Sequence, residues 1–189
     1  MRKLLLLSLS TALLICTAGC APKIKHEEQN KNTQTVQDSP HVYEAITLYF
    51  PDKDGTYLVK ETREVALYEN QQLETILLQE LFKGPKSHDL QPSVRGDVRI
   101  LSVETKMGLC TVDLSKTFTE YNNNENSQEP FAVQSIVHSL CTIDEIDRVK
   151  INIEGSADAE FSNGIKLNEP ISPNPNILLP SPSKSETGA

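Results

Sequence analysis

Ile46, Leu48 and Phe50 alternate with Thr47 and Tyr49, which predicts a half-buried strand. Pro51-Asp52-Lys53-Asp54-Gly55 supplies turn chemistry, and Tyr57 to Val65 reads as a weaker strand suited to a sheet edge. The period then changes. Leu73, Ile76, Leu77 and Leu81 fall on one helical face behind Asn70, a residue able to cap a helix start, and Gly84-Pro85 stops the run. Val98 to Val103 and Leu109 to Leu114 predict a hairpin across Lys106-Met107-Gly108. A second helix begins between Ser127 and Pro130, because proline in the first turn sacrifices no hydrogen bond, and its stripe is Val133, Ile136, Val137 and Leu140. Val149, Ile151 and Ile153 alternate with Arg148, Lys150, Asn152 and Glu154 in a closing strand. A strand between two helix layers would be apolar on both faces, so this alternation leaves one sheet face solvated. The expectation is an α+β domain over residues 43–167, with two helices packed on one face of a mainly antiparallel sheet.

Both flanks differ from that core. Arg2 and Lys3 precede the uncharged run Leu4 to Cys16, which would rise only about 20 Å as a helix and falls short of a bilayer. Residues 1–19 therefore read as an export signal. Thr17-Ala18-Gly19-Cys20 resembles a bacterial lipobox, whose cysteine is acylated on sulfur and becomes the new N-terminus. That makes Cys20 the lipidation candidate, while ordinary cleavage near Ala21 would release a soluble product. Residues 20–42 are the lipidated cysteine and a tether: from Ala21 to His41 only Ile24 and Val36 are sizeable apolar residues, too few to fold, so a flexible chain averaging about 26 Å is expected. Residues 168–189 form a tail with Pro170, Pro173, Pro175, Pro180 and Pro182, and Ile177-Leu178-Leu179 is its docking patch.

Charge narrows the partners. The chain of 189 residues has 18 Lys+Arg against 26 Asp+Glu, a net −8, and becomes more acidic once Arg2 and Lys3 are removed. Such a surface repels phosphate backbones, which argues against nucleic acid, and the absence of Trp leaves little for base stacking.

Three stretches resemble the sporulation and spore germination (GerMN) domain family. They are Leu81-Phe82-Lys83-Gly84-Pro85-Lys86, then Val112-Asp113-Leu114-Ser115, then Ile136-Val137-His138-Ser139-Leu140 leading to Val149-Lys150-Ile151-Asn152-Ile153-Glu154-Gly155. The resemblance implies a fold similar to the ring-building motifs of envelope and secretion machines. It also implies an exported lipoprotein on the outer side of the cell membrane, assisting a multiprotein complex in sporulation or germination. It carries over no catalytic residue.

Candidate chemistry is sparse as well. His26, His41, His88 and His138 are not paired at metal-ligand spacing. Asp52, Asp54, Gly55 and Glu61 mimic part of a calcium loop, but Phe50 would hold the first ligand position. Asp113 and Ser115 neighbour no base, and Asp144-Glu145-Asp147 reads as a solvated loop. No metal, cofactor or catalytic set is expected, hence no enzyme. Cys110 shares the inner parity of Val112 and Leu114, and Cys141 borders the helix stripe. With Cys16 removed and Cys20 lipidated, these two thiols are the candidates for a disulfide in an oxidising compartment, with two separately buried thiols as the alternative. The expected function is a scaffold or assembly factor working with envelope proteins, as a homo- or hetero-oligomer. A binding module for wall polymer or a small ligand is the alternative. Contact is expected through the polar face of Arg148, Lys150, Asn152 and Glu154, or through a free strand edge.

Overall fold

In the computed structural model, residues 42–120, 129–161 and 166–180 are described. The signal, Cys20, the tether, His26, His41, Ser127 and the end of the tail lie outside them. The described residues all fall within one compact unit.

The chain enters as two long strands, β1 (Val42–Pro51) and β2 (Leu58–Leu67), paired antiparallel with Tyr49 opposite Lys60 and Ala45 opposite Glu64. Asp52 builds the turn, its carboxylate accepting from the amides of Thr56 at 2.7 Å and Tyr57 at 3.2 Å. Helix α1 (Leu73–Phe82) follows, starting at Gln72 without a side-chain cap. Asn70 is not the cap that its position suggested. It adopts φ 68 and turns the chain two residues earlier, a conformation asparagine tolerates better than most residues. Gly84, at φ 85, ends the helix as expected.

β3 (Ile100–Lys106) and β4 (Gly108–Leu114) form the expected hairpin. Its loop residues Met107 and Gly108 both have positive φ, 49 and 79, the signature of a turn that matches strand twist. After the short α2 (Thr117–Glu120), α3 (Glu129–Leu140) carries the chain back to β5 (Ile146–Ile153), which lies parallel to β4. A helical crossover permits parallel pairing where a tight turn cannot. The strands thus form two sheets, β1-β2 and β3-β4-β5, and the pairing remains mainly antiparallel.

One core joins these layers. Leu48 and Phe50 from β1, Leu77 and Leu81 from α1, Val112 from β4, Ile136 and Leu140 from α3, and Ile151 from β5 are all fully buried. Each such side chain contributes about 1.5–3 kcal/mol of apolar burial. The α3 stripe is buried as its spacing predicts. On α1, Leu78 is buried while Leu73 and Ile76 are half-buried, so its inner face is rotated by about one residue. The tail docks: Ile171 bridges Val149, a 3₁₀ turn spans Pro175–Ile177, and Leu178 bridges Leu58.

Candidate functional site

Most of the polar side chains brought together in this fold hold backbone. Arg63 lies on the inner side of β2 and is 4% exposed. Its guanidinium donates to the carbonyl of Glu80 at 2.9 Å, one of the last carbonyls of α1 that no helical amide can reach, and to the carbonyl of Gly84 at 2.6 Å in the loop beyond the helix. It also pairs with the carboxylates of Glu61 at 2.6 Å and Glu80 at 3.0 Å, and lies 5.5 Å over the Phe50 ring. Glu61 in turn accepts the amides of Lys86 and Ser87 at 3.0 Å. Desolvation by itself would raise the Glu61 carboxyl, but Arg63 and the two amides overcome it and hold it below the usual carboxylate range. Glu80 is likewise lowered, with Lys83 and Arg63 outweighing desolvation. The loop Lys83-Gly84-Pro85-Lys86 is thus clamped from both sides. The calcium-like spacing of Glu61 does not convey this role. An arginine sharing the parity of Val65 on an amphipathic strand was the signal that could have revealed the clamp.

A second clamp joins the end of β4 to the end of β5. Asp113 accepts the Gly155 amide at 2.9 Å, and the Glu154 amide donates to the Leu114 carbonyl at 3.0 Å. Glu154 and Gly155 take φ 50 and 79, so the chain reverses here in the left-handed region. Ser115 accepts the Arg99 amide at 2.9 Å, tying β4 to the approach to β3.

A third lies along α3. Ser139 accepts the Tyr49 amide at 2.9 Å. His138 donates from Nε2 to the Asn174 carbonyl at 3.0 Å, and its ring packs 5.2 Å from that of Tyr49. Burial pushes its pKa down, against a smaller opposing pull from that carbonyl. Gln134 accepts the Asn174 amide at 3.0 Å, so α3 grips the tail on both sides of one residue.

The expected interface residues do not form one free face. Arg148 is exposed, but Lys150 is half-buried and donates to the carbonyls of Ala157 at 3.0 Å and Leu167 at 2.8 Å. Asn152 is half-buried as well, and Glu154 belongs to the second clamp. Cys110 and Cys141, the disulfide candidates, are both free thiols here, each pushed up to about 11, chiefly by burial. Asp52 and Glu61 are spent on separate amide sets, so the calcium-like spacing does not assemble. Among the described residues no His, Cys, Asp and Glu cluster has a metal-binding arrangement, and no helix is long and apolar enough to cross a membrane. One groove, of about 330 Å³, runs between Tyr49, Leu58, Val59 and Lys60 and the tail residues Leu178, Leu179 and Pro180.

The family model described as sporulation and spore germination matches residues 47–159, a span that contains all three clamps except the Asn174 end of the last. The structure is similar to the tandem GerMN domains of the sporulation protein GerM from Bacillus subtilis, with a TM-score of 0.57 and 23% identity. That similarity covers 74% of this chain and 48% of the tandem protein, so the chain matches about half of that protein's length. It is also similar to the first GerMN domain of the same protein alone, with a TM-score of 0.53, 25% identity, and coverage of 71% and 96% of the two chains. The curated proteins contain no match.

Proposed function

Since the chain belongs to the sporulation and spore germination domain family, we propose that it is a lipid-anchored protein of the outer face of the cell membrane. In this reading it serves as a non-enzymatic scaffold or assembly factor of an envelope complex. The observation that carries the reading is how the three family stretches use their polar groups. Gly84, Asp113, His138, Ser139 and Gly155 all hold backbone in place, and a catalytic group needs to be left free to meet a substrate. Such clamps make a rigid body with a defined surface, which suits protein contact. Thr17-Ala18-Gly19-Cys20 and the polar tether support the anchoring, because a tethered domain meets partners in the same membrane at raised effective concentration.

In-cell crosslinking followed by detergent solubilisation tests this. Defined envelope proteins should be recovered with the anchored chain and lost when Cys20→Ala prevents anchoring. Turnover of a wall or peptide substrate, abolished by one point substitution, would overturn the non-enzymatic reading. The groove beside Tyr49 and Lys60 supports a second reading, binding of a small ligand or wall fragment. Thermal stabilisation by such a fragment, lost on Tyr49→Ala, would favour it over the scaffold.

A further inference from the structure

Among the described residues two sheets have four edge strands, and three of these edges are covered or blunted. On β5, Val149 exchanges two backbone hydrogen bonds with Ile171, at 2.9 and 2.7 Å. On β2, the Leu58 carbonyl accepts the Leu179 amide at 3.0 Å, and exposed Lys60 and Glu64 follow along the strand. On β3, a bulge between Ile100 and Ser102 breaks the register at exposed Leu101, and charged Glu104 and Lys106 stand beyond it. Bulges, edge charges and covering segments are the devices that keep sheets from pairing with one another.

Among the described residues, the fourth edge, the first half of β1, has none of them. The Tyr49 amide leaves β1 on the side away from β2 and reaches Ser139, so α3 closes the edge from Tyr49 onward. Outward-facing residues recur at every second position of an antiparallel ladder, and the β1–β2 register is unbroken. The amides and carbonyls of Tyr43, Ala45 and Thr47 therefore face the same way, and among the described residues nothing pairs with them. Tyr43 is 61% exposed, and Ala45 is exposed as well. The only charged side chain on this stretch, Glu44, belongs to a residue whose backbone faces β2.

We propose that this edge pairs antiparallel with the same edge of a second copy of the chain. A two-fold axis through Ala45 sets Ala45 opposite Ala45 of the second copy and Tyr43 opposite its Thr47. Each such outward-facing pair exchanges two hydrogen bonds. The side chains match too. Two small residues meet at the centre, and an aromatic meets a β-branched residue on each side, a stabilising cross-strand combination. Glu44 comes opposite Ile46 of the second copy rather than opposite its own counterpart. The result is a continuous four-stranded sheet with an isologous, closed interface. It requires neither the lipid anchor nor another protein.

Sedimentation velocity on residues 20–189 carrying Cys20→Ser tests this without lipid. The wild-type edge should give a concentration-dependent monomer–dimer equilibrium. Added salt should tighten it, because each copy carries a net negative charge and screening weakens their repulsion. Ala45→Pro removes an outward amide while sparing the ladder to β2, and should weaken dimerisation by about tenfold or more with little change in melting temperature. Should proline disturb the strand, Thr47→Lys places a charge on the edge without altering the backbone and should also give monomer. A wild-type chain that stays monomeric throughout, or a dimer that both variants leave intact, overturns the proposal. Either result leaves the envelope-crosslinking outcome standing on its own.

Discussion

Arg63 shows how much one buried charge can organise. It connects β2 to the end of α1 through carbonyls and carboxylates, and those carboxylates in turn hold the loop after the helix. Arg63→Ala strands Glu61 without its counter-charge and leaves the carbonyls of Glu80 and Gly84 bare. Loss of one partner of a buried pair costs about 3–5 kcal/mol, readable by chemical denaturation. A loss below 1 kcal/mol would mean that water replaces the guanidinium. The acid behaviour follows in sign. Glu61 and Glu80 have folded pKa values below the ordinary 4.5, so the stability that they contribute is complete above that value and is lost as pH falls through the folded values. Melting temperature should drop steeply below about pH 4.5, and Glu61→Gln should make that slope shallower. The two cysteines are a separate matter at this scale. Thiols raised to about 11 are almost wholly protonated at pH 8, so iodoacetamide should label the folded domain slowly. Unfolding without reductant should then yield two labels by mass spectrometry, and zero labels would reveal a bridge.

The elements show a division of labour that their hydrophobic patterns do not convey. α3 packs its apolar stripe on the core, while Gln134 and His138 hold the tail and Ser139 holds β1. The tail then links the two sheets, joining the edge of β5 through Ile171 to the edge of β2 through Leu179. Ile171→Pro removes the amide that donates to the Val149 carbonyl at 2.7 Å. It should cost about 1–2 kcal/mol and speed hydrogen exchange at the Val149 and Leu179 amides together. Unchanged exchange at Leu179 would show that the two contacts of the tail open independently.

For the whole molecule, anchoring and surface charge set the function that we propose. Cys20→Ala should leave uncleaved precursor, abolish labelling by a fatty-acid analogue and shift the chain in membrane partition. Equal labelling of both forms would remove the lipoprotein assignment. Stable retention implies more than one acyl chain, because a single chain binds only marginally. Arg148 is an exposed member of the expected interface. Charge reversal there can test partner contact without disturbing a structural bond, whereas reversal of Lys150 would also remove its two carbonyl contacts.

What the sequence determined by itself was local or repetitive. Alternation placed β1 and β5, helical spacing placed the stripe of α3, and Gly84 marked the end of α1, because burial of one face and a left-handed turn leave their mark within a few residues. The matching stretches also pointed to the family, since their order along the chain survives translation into one dimension. Tertiary structure decided the rest. The separation into two sheets, the parallel pairing of β4 with β5, the coupling of Arg63 to Gly84 across 21 positions and the grip of Gln134 on Asn174 across 40 all join residues far apart in the chain. Lys150 is the clearest case. Its alternation marked it correctly as outside the core, but only the path of the chain through Ala157 and Leu167 turned an outward lysine into a structural donor. Periodicity reports which face a side chain leaves. What it meets there depends on chain that arrives from elsewhere.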